Sequence, residues 1–440
     1  MNTENNNRRD FMKLALASAG AAATGGCASL IRTKPVRRAF AAPMSTAPPR
    51  LALVGVGGAG APLLRYFSAS GALIAAICDV DERELSTARE LLAPRFPDLQ
   101  TFQDYRVMFD TLGTLDGAVI ATPDHGHAMQ ALRALQAGCH LYLETPVTHT
   151  LQELATLEGA VHRARRHLFC GELNIDCEPA LRGRAGMATG VIGKISQVHI
   201  WSNGPIWPQG GVPPSGSDPV PAGLAWDLWL AGAQPRPYKR FVYHKFNWRG
   251  WCDFGGGTLG DAGCQLLSFP FATLELSVPK SVTRLNFRGG TDVSYPQSTT
   301  LRWVCNSAIQ RDRVELFWYD GGALPVDDLL QQARATLGRL PGSGVLLVGE
   351  RGTWLVAGTA CQQHYLGFIG SPRMIDFERH ALWNSLTVPP SRSVTAPARF
   401  LRAISSGERC DFNLTAQPAL HKAVLIGALA SRGVTGESCI

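Results

Sequence analysis

Four residues near the start of the chain have the spacing of a dinucleotide site. Gly55, Gly57 and Gly60 follow the apolar run Leu51-Ala52-Leu53-Val54, and Asp79 closes the next apolar run, 79 − 60 = 19 residues past the last glycine. About 20 is the separation expected of such a site. Gly55 permits a tight turn, Gly57 lets the backbone approach a diphosphate, and Gly60 lets the following helix pack closely. Gly58 belongs to the same turn. The helix N-terminus adds unpaired amides and a partial positive charge that suit phosphates. Asp79 would accept hydrogen bonds from the adenosine ribose. Its charge repels a 2′-phosphate and favours NAD, while nearby Arg83 keeps NADP open. Glycines serving only a tight turn are the plainer alternative.

A second stretch, His140-Leu141-Tyr142-Leu143, runs straight into Glu144-Thr145-Pro146. Proline lacks an amide hydrogen, so Pro146 ends a central strand abruptly. In an α/β sheet, ligands are held at the carboxyl ends of strands.

Both stretches need a parallel sheet to position them, and the chain alternates accordingly from residue 50. Strand patterns at 51–54, 73–78, 117–121 and 140–143 alternate with helical ones at 83–93 and 127–137. Such alternation predicts a doubly wound Rossmann sheet with crossover helices. After about residue 170 the pattern changes. Strands are expected at 195–201, 281–288, 299–305, 312–319, 344–349 and 353–357, with helices near 264–276 and 419–432. Glu350-Arg351-Gly352 reads as a hairpin turn. The expected division is an export signal and linker over 1–41, a Rossmann domain over 50–170, and a second α+β domain over 171–440. The last helix is expected to pack back on the first domain.

The chain has 440 residues, 45% of them hydrophobic, with formal net charge +7. Residues 1–38 hold seven Lys/Arg against Glu4 and Asp10, net +5, which leaves 7 − 5 = +2 for the rest. The body therefore offers no basic face for nucleic acid. Arg8-Arg9-Asp10-Phe11-Met12-Lys13 and the short apolar run after it read as a twin-arginine export signal. That implies a periplasmic or outer-surface protein. Cys27 is a candidate lipid anchor, with Ala39-Phe40-Ala41 as the alternative cleavage site. The eleven cysteines include no C-x-x-C pair, and histidines lack i, i+4 spacing, so no metal site and no disulfide pairing are expected.

The segment Ala121-Thr122-Pro123-Asp124-His125-Gly126-His127, then Ala137-Gly138-Cys139-His140 and Glu144-Thr145-Pro146, resembles the glucose–fructose oxidoreductase/inositol dehydrogenase (Gfo/Idh/MocA) family. The stretch 247–271 and Trp226-Asp227-Leu228-Trp229-Leu230 resemble an exported bacterial branch of it. The resemblance covers roughly residues 50–440. It implies an N-terminal Rossmann domain, a second domain with an open, mostly antiparallel sheet, and pairing into homo-oligomers. By the same resemblance Thr122, Pro123, His127, Glu144 and Pro146 join the cofactor site. It also implies a sugar or polyol substrate, and one branch that hydrolyses glycosides through transient oxidation by NAD.

Three positions depart from the family pattern. Thr145 stands where members usually have lysine, and threonine supplies no positive charge. Gln265 stands where Gly260-Asp261-Ala262-Gly263-Cys264 is usually followed by histidine, and an amide exchanges no proton near neutral pH. Gly171-Glu172-Leu173-Asn174-Ile175 keeps only the glycine of a third motif. The remaining acid–base set is then Asp261, with Thr145 and Gln265 holding a water. Asp261 as a cap for the helix after it is the alternative. His244, Arg249, Trp251 and Asp253 lie in a Trp- and Gly-rich segment suited to sugar hydroxyls, or to an oligomer contact or core turn. Three functions follow: an NAD-dependent oxidoreductase of sugar, polyol or glycoside hydroxyls, an NAD-dependent glycosidase, or a non-catalytic protein that keeps the cofactor.

Overall fold

In the computed structural model, residues 47–171, 173, 175, 177–388, 395–406 and 417–434 are described. The expected leader with Cys27, and Glu172 and Asn174, lie outside the described residues. Six strands, β1 (Arg50–Val54), β2 (Leu73–Cys78), β3 (Gln100–Phe102), β4 (Gly117–Ile120), β5 (His140–Leu143) and β6 (Leu168–Cys170), run parallel in the order β3-β2-β1-β4-β5-β6. Leu51, Ala52, Leu53 and Val54 of β1 are all buried, as a strand covered on both faces requires. The crossovers are α1 (Gly60–Ala69), α2 (Glu82–Leu92), α3 (Tyr105–Thr111), α4 (Asp124–Gln136) and α5 (Leu151–Ala164). Strand order reverses between β1 and β4, which opens a crevice at the carboxyl ends of the strands.

After α6 (Glu178–Ala188) the chain enters a second sheet. Its strands are β7 (Ile195–Trp201), β8 (Ser281–Arg288), β9 (Ser298–Ser307), β10 (Asp312–Tyr319), β11 (Gly344–Gly349), β12 (Gly352–Ala357), β13 (Gln363–Phe368) and β14 (Ile375–Asp376), in the order β14-β13-β12-β11-β7-β10-β9-β8. β7 and β10 pair parallel and the other neighbours antiparallel, so the sheet is mixed. Gly349 pairs with Gly352 across a two-residue turn, as the sequence predicts.

The remaining helices are α7 (Trp226–Leu230), α8 (Gly257–Leu274), α9 (Asp327–Leu337), α10 (Ala381–Ser385), α11 (Ala396–Ser406) and α12 (Pro418–Ser431). α8 begins seven residues before the expected 264, at Gly257. Its opening Gly-Thr-Leu-Gly reads locally as loop, but the absence of side chains lets the helix end press on its neighbours. Asp261 therefore sits inside the helix and does not cap it; Gly256 holds the cap position.

α11 packs on the first domain, with Phe400 fully buried against Tyr142, Phe169 and Phe67. The last helix, α12, packs with α8 in the second core, where a Cβ on Gly427 would lie 2.4 Å from the Trp303 ring. It also meets the first domain, through Leu425 in the Rossmann core, His421 Nε2 3.4 Å from Cys170 Sγ, and Lys422 paired with Glu158 at 4.0 Å.

Candidate active site

The crevice between the domains is a cleft of about 600 Å³, lined at one end by the glycine turn and at the other by Asp124, Thr145, Arg249, Asp261 and Gln265. At the first end, Gly55 has φ +81°, and a Cβ there would lie 2.6 Å from the Ala121 carbonyl oxygen. A Cβ on Gly60 would lie 2.0 Å from the Gly55 carbonyl oxygen. The turn therefore closes only with glycine at both positions. Gly58, by contrast, has nothing within 4 Å of where a Cβ would sit. That open side, at the start of α1, has the shape a diphosphate needs.

Asp79 braces this turn as well as facing the cleft. Its Oδ2 accepts from the amides of Val56 (2.9 Å) and Gly57 (3.3 Å), and its Oδ1 from Asp81 N (3.0 Å). Burial pushes its pKa up against the lowering effect of these amides. A carboxylate has about four acceptor positions, so three amides leave room for a ribose hydroxyl.

A segment of the second domain, 221–246, straps this end. Glu82 N and Gln103 Nε2 both donate to Gly223 O, at 3.0 and 2.9 Å, and Ala225 N donates to Val80 O at 2.9 Å. Lys245 Nζ pairs with Glu84 at 2.7 Å across the cleft mouth, and His244 Nε2 lies 3.9 Å from Asp81 Oδ2. The strap is held up by stacked Trp226 and Trp229, 4.8 Å apart, with Tyr243, Trp251 and Phe254 behind them.

At the opposite end the two family departures meet. Gln265 Nε2 donates to Thr145 Oγ1 at 3.3 Å, and Gln265 Oε1 is buried with no partner among the described residues. Beside them Arg249 Nε donates to Asp261 Oδ1 at 2.6 Å, with its guanidinium 4.4 Å from the centre of the Trp248 ring. Asp124, the first residue of α4, is 4% exposed. Gly256 N donates to its Oδ2 at 3.2 Å. Burial holds the Asp124 carboxyl well above the usual carboxylate range, with Arg249 lowering it and Asp261 raising it.

The histidines here are braced. His127 Nδ1 lies 2.8 Å from Pro146 O and Nε2 lies 2.7 Å from Thr122 O, which ties the ends of β4 and β5 together. Burial lowers its pKa and the two carbonyls oppose that. His125 Nε2 lies 2.9 Å from Trp229 O, so the ring N–H donates there and Nδ1 remains a buried acceptor without a partner among the described residues. Burial pushes the His125 pKa down to about 4, which keeps it neutral. Glu144 lies against Gly171, where a Cβ would be 2.4 Å from Oε2.

The structure thus brings Gly55, Gly57, Gly58, Asp79, Thr122, Pro123, His127, Glu144, Thr145, Arg249, Asp261 and Gln265 to one cleft. Gly60 and Pro146 support its wall from behind. Of the expected substrate residues, Trp251 and Asp253 lie outside the cleft lining and His244 lies at its other end. Trp251 is buried under the strap, with Nε1 donating to Val242 O at 2.7 Å. Asp253 turns away to pair with Arg236. His244 lines the cleft, but at the Asp81 end. Aromatic richness signalled the region correctly without distinguishing rings that face the cleft from rings that support it. Asp124 and His125 are the residues that the sequence reading missed. Their position after Thr122-Pro123 marked a strand end, and only their burial singles them out.

Residues 49–172 match the model of the oxidoreductase family, NAD-binding Rossmann fold (Gfo/Idh/MocA), and residues 206–271 match the model of its C-terminal α/β domain. Together the two matches cover 190 of the 440 residues. It is similar to a glycosyl hydrolase family 109 protein of Shewanella amazonensis, 33% identical over 176 residues that make up 38% of this chain and 39% of that protein. An α-N-acetylgalactosaminidase of Bacteroides fragilis is 30% identical over 156 residues, 34% of this chain and 36% of that protein. These curated relatives are therefore matched over less than half of their length. Among solved structures, the WlbA dehydrogenase of Bordetella pertussis, in complex with NADH and UDP-GlcNAcA, superposes with TM-score 0.60 at 17% identity, over 89% of this chain and 97% of that one. An aldose–aldose oxidoreductase of Caulobacter crescentus gives 0.56 at 13%, over 88% and 98%. At such identities these structures show a shared fold and nothing narrower.

Proposed function

We propose that this protein binds NAD in the interdomain cleft and uses it to oxidise a hydroxyl of a sugar, polyol or glycoside. The observation that carries this reading is the pair of unpartnered buried acceptors lining the cleft, Gln265 Oε1 and His125 Nδ1. Leaving a buried polar atom unpaired costs about 1–3 kcal/mol, which a ligand rich in O–H donors would recover. The open glycine turn at the other end suits the dinucleotide, whose nicotinamide supplies hydride chemistry when bound. Asp79 would orient the ribose, and the strap from 221 to 246 would hold the adenosine. At the reacting end Arg249, Asp261, Thr145 and Gln265 would orient the hydroxyl-bearing ligand.

A second reading, net hydrolysis of a glycoside with NAD oxidised and restored within each turnover, has support in the names of the family 109 relatives. Both readings put the protein outside the cytoplasm, on the strength of Arg8-Arg9 and the apolar run after them. Cys27 as a lipid anchor, and a homo-oligomer, belong to the same reading. The test starts with the nucleotide released from the purified, acid-denatured protein, identified by absorbance and mass. NAD in stoichiometric amount, reduced by one member of a sugar and polyol panel, supports the oxidoreductase; sugar release without net NADH supports the glycosidase. NAD bound with neither outcome would leave a non-catalytic protein.

A further inference from the structure

Three acids face the reacting end of the cleft, and their surroundings divide the work among them. Asp261 is paired with Arg249 at 2.6 Å and its side chain is 39% exposed. Glu144 is wedged against the Gly171 backbone. Asp124 is buried, has no salt bridge among the described residues, and receives the Gly256 amide on one oxygen. Of the histidines at this end, His125 gives one ring nitrogen to Trp229 O, and burial pushes its pKa down to about 4. His127 has both ring nitrogens against carbonyl oxygens, and Thr145 and Gln265 are neutral groups bonded to each other.

We propose that Asp124 is the proton carrier of this site, taking the substrate hydroxyl proton in place of the family's lysine and histidine. The inference rests on the hydride-transfer reading above. In the step, the substrate O–H bond breaks and its proton passes to a carboxylate oxygen of Asp124. The carbinol C–H electron pair leaves as a hydride to the nicotinamide of NAD, and a C=O bond forms. The alcohol is oxidised, the cofactor is reduced by two electrons, and the proton rests on Asp124 until the reverse step or solvent removes it.

The groups facing Asp124 tune it for this work. Arg249, from the turn 247–250, favours the anion; Asp261, from α8, favours the protonated form. Cys264 on α8 and Tyr295 also lie within electrostatic range, and burial keeps both neutral by raising their pKa values. Burial of Asp124 itself exceeds these influences and moves its titration upward.

The experiment is a pH titration of the full chain, loaded with NAD, followed by difference infrared spectroscopy of wild type against Asp124→Asn. The expected result is a protonated-carboxyl band that persists well above the ordinary Asp value of about 3.9. It is absent from Asp124→Asn and moves to lower pH in Asp261→Asn, where a facing negative charge is gone. A carboxylate signal at every pH, or a band that ignores Asp261→Asn, overturns the assignment. In single-turnover reduction of bound NAD, Asp124→Asn should retain the nucleotide while the rate falls about 100-fold or more. The rise of rate with pH should also vanish. An unchanged rate and pH profile in Asp124→Asn sinks the inference and leaves the function standing. NAD retention with no reduction by wild type overturns the function, and this inference with it.

Discussion

The two ends of the cleft are built on opposite principles. At the adenosine end the backbone does the work. Gly55 and Gly60 touch main chain where any side chain would collide, and Asp79 is fixed by three amides. At the other end side chains do the work: Gln265 bonds Thr145, Arg249 pairs with Asp261, and Asp124 lies buried behind them. A backbone cradle tolerates little change because its neighbours cannot move. Side chains can shift or be exchanged more freely.

The contrast predicts a graded series of effects. Gly60→Ala should be the most damaging change, because its Cβ would meet the Gly55 carbonyl at 2.0 Å and neither backbone can retreat. Nucleotide binding should be lost, with destabilisation of about 1–3 kcal/mol or more in a denaturant titration. Normal NAD binding by this variant would remove the distinction between the two ends.

Asp124→Asn should separate from wild type as pH rises. Folded Asp124 holds its proton more tightly than the unfolded chain does, because burial raises its pKa. Wild-type stability is therefore full below the unfolded value of about 3.9 and declines, by at most about 1.4 kcal/mol per pH unit, until the raised folded pKa is passed. The amide lacks this decline, so its Tm advantage should grow with pH. A constant Tm difference across pH would show that Asp124 is not desolvated.

Thr145→Lys should lower turnover by about tenfold, equivalent to about 1.4 kcal/mol of barrier, while NAD still binds. The new ammonium would break the Thr145–Gln265 contact and favour ionised Asp124. A gain in turnover would instead identify the reacting end as a degraded version of the usual family site.

Lys245→Met should have the smallest effect, since the Lys245 side chain is 67% exposed and its pairing with Glu84 is screened by solvent. A loss of at most about 1 kcal/mol is expected, seen as slightly faster NAD release that salt reproduces in wild type. A larger effect would make the strap a principal part of the cofactor site.

Much of the architecture was legible in the residue pattern. The strands at 281–288, 312–319 and 344–349 occupy the predicted positions, 312–319 through its period-two alternation and 344–349 as a short apolar run buried at its start. The start of α8 was not legible, because its glycines signal a loop locally and become helical only against α12 and Asp124. Trp251 lies in a segment whose composition suits either a sugar site or a core turn, and residue type does not say which face of a ring is covered.

The amino-acid sequence by itself determined the Rossmann half and the glycine turn with its acid at Asp79. Those features are local: each depends on a few neighbouring residues and on backbone freedom that residue type dictates. Only the tertiary structure decided which acid is desolvated, which histidine nitrogens are occupied and which tryptophans face the cleft. Those properties depend on atoms far apart in sequence, as when Gly256, Arg249 and Asp261 close around Asp124 from a segment more than a hundred residues away.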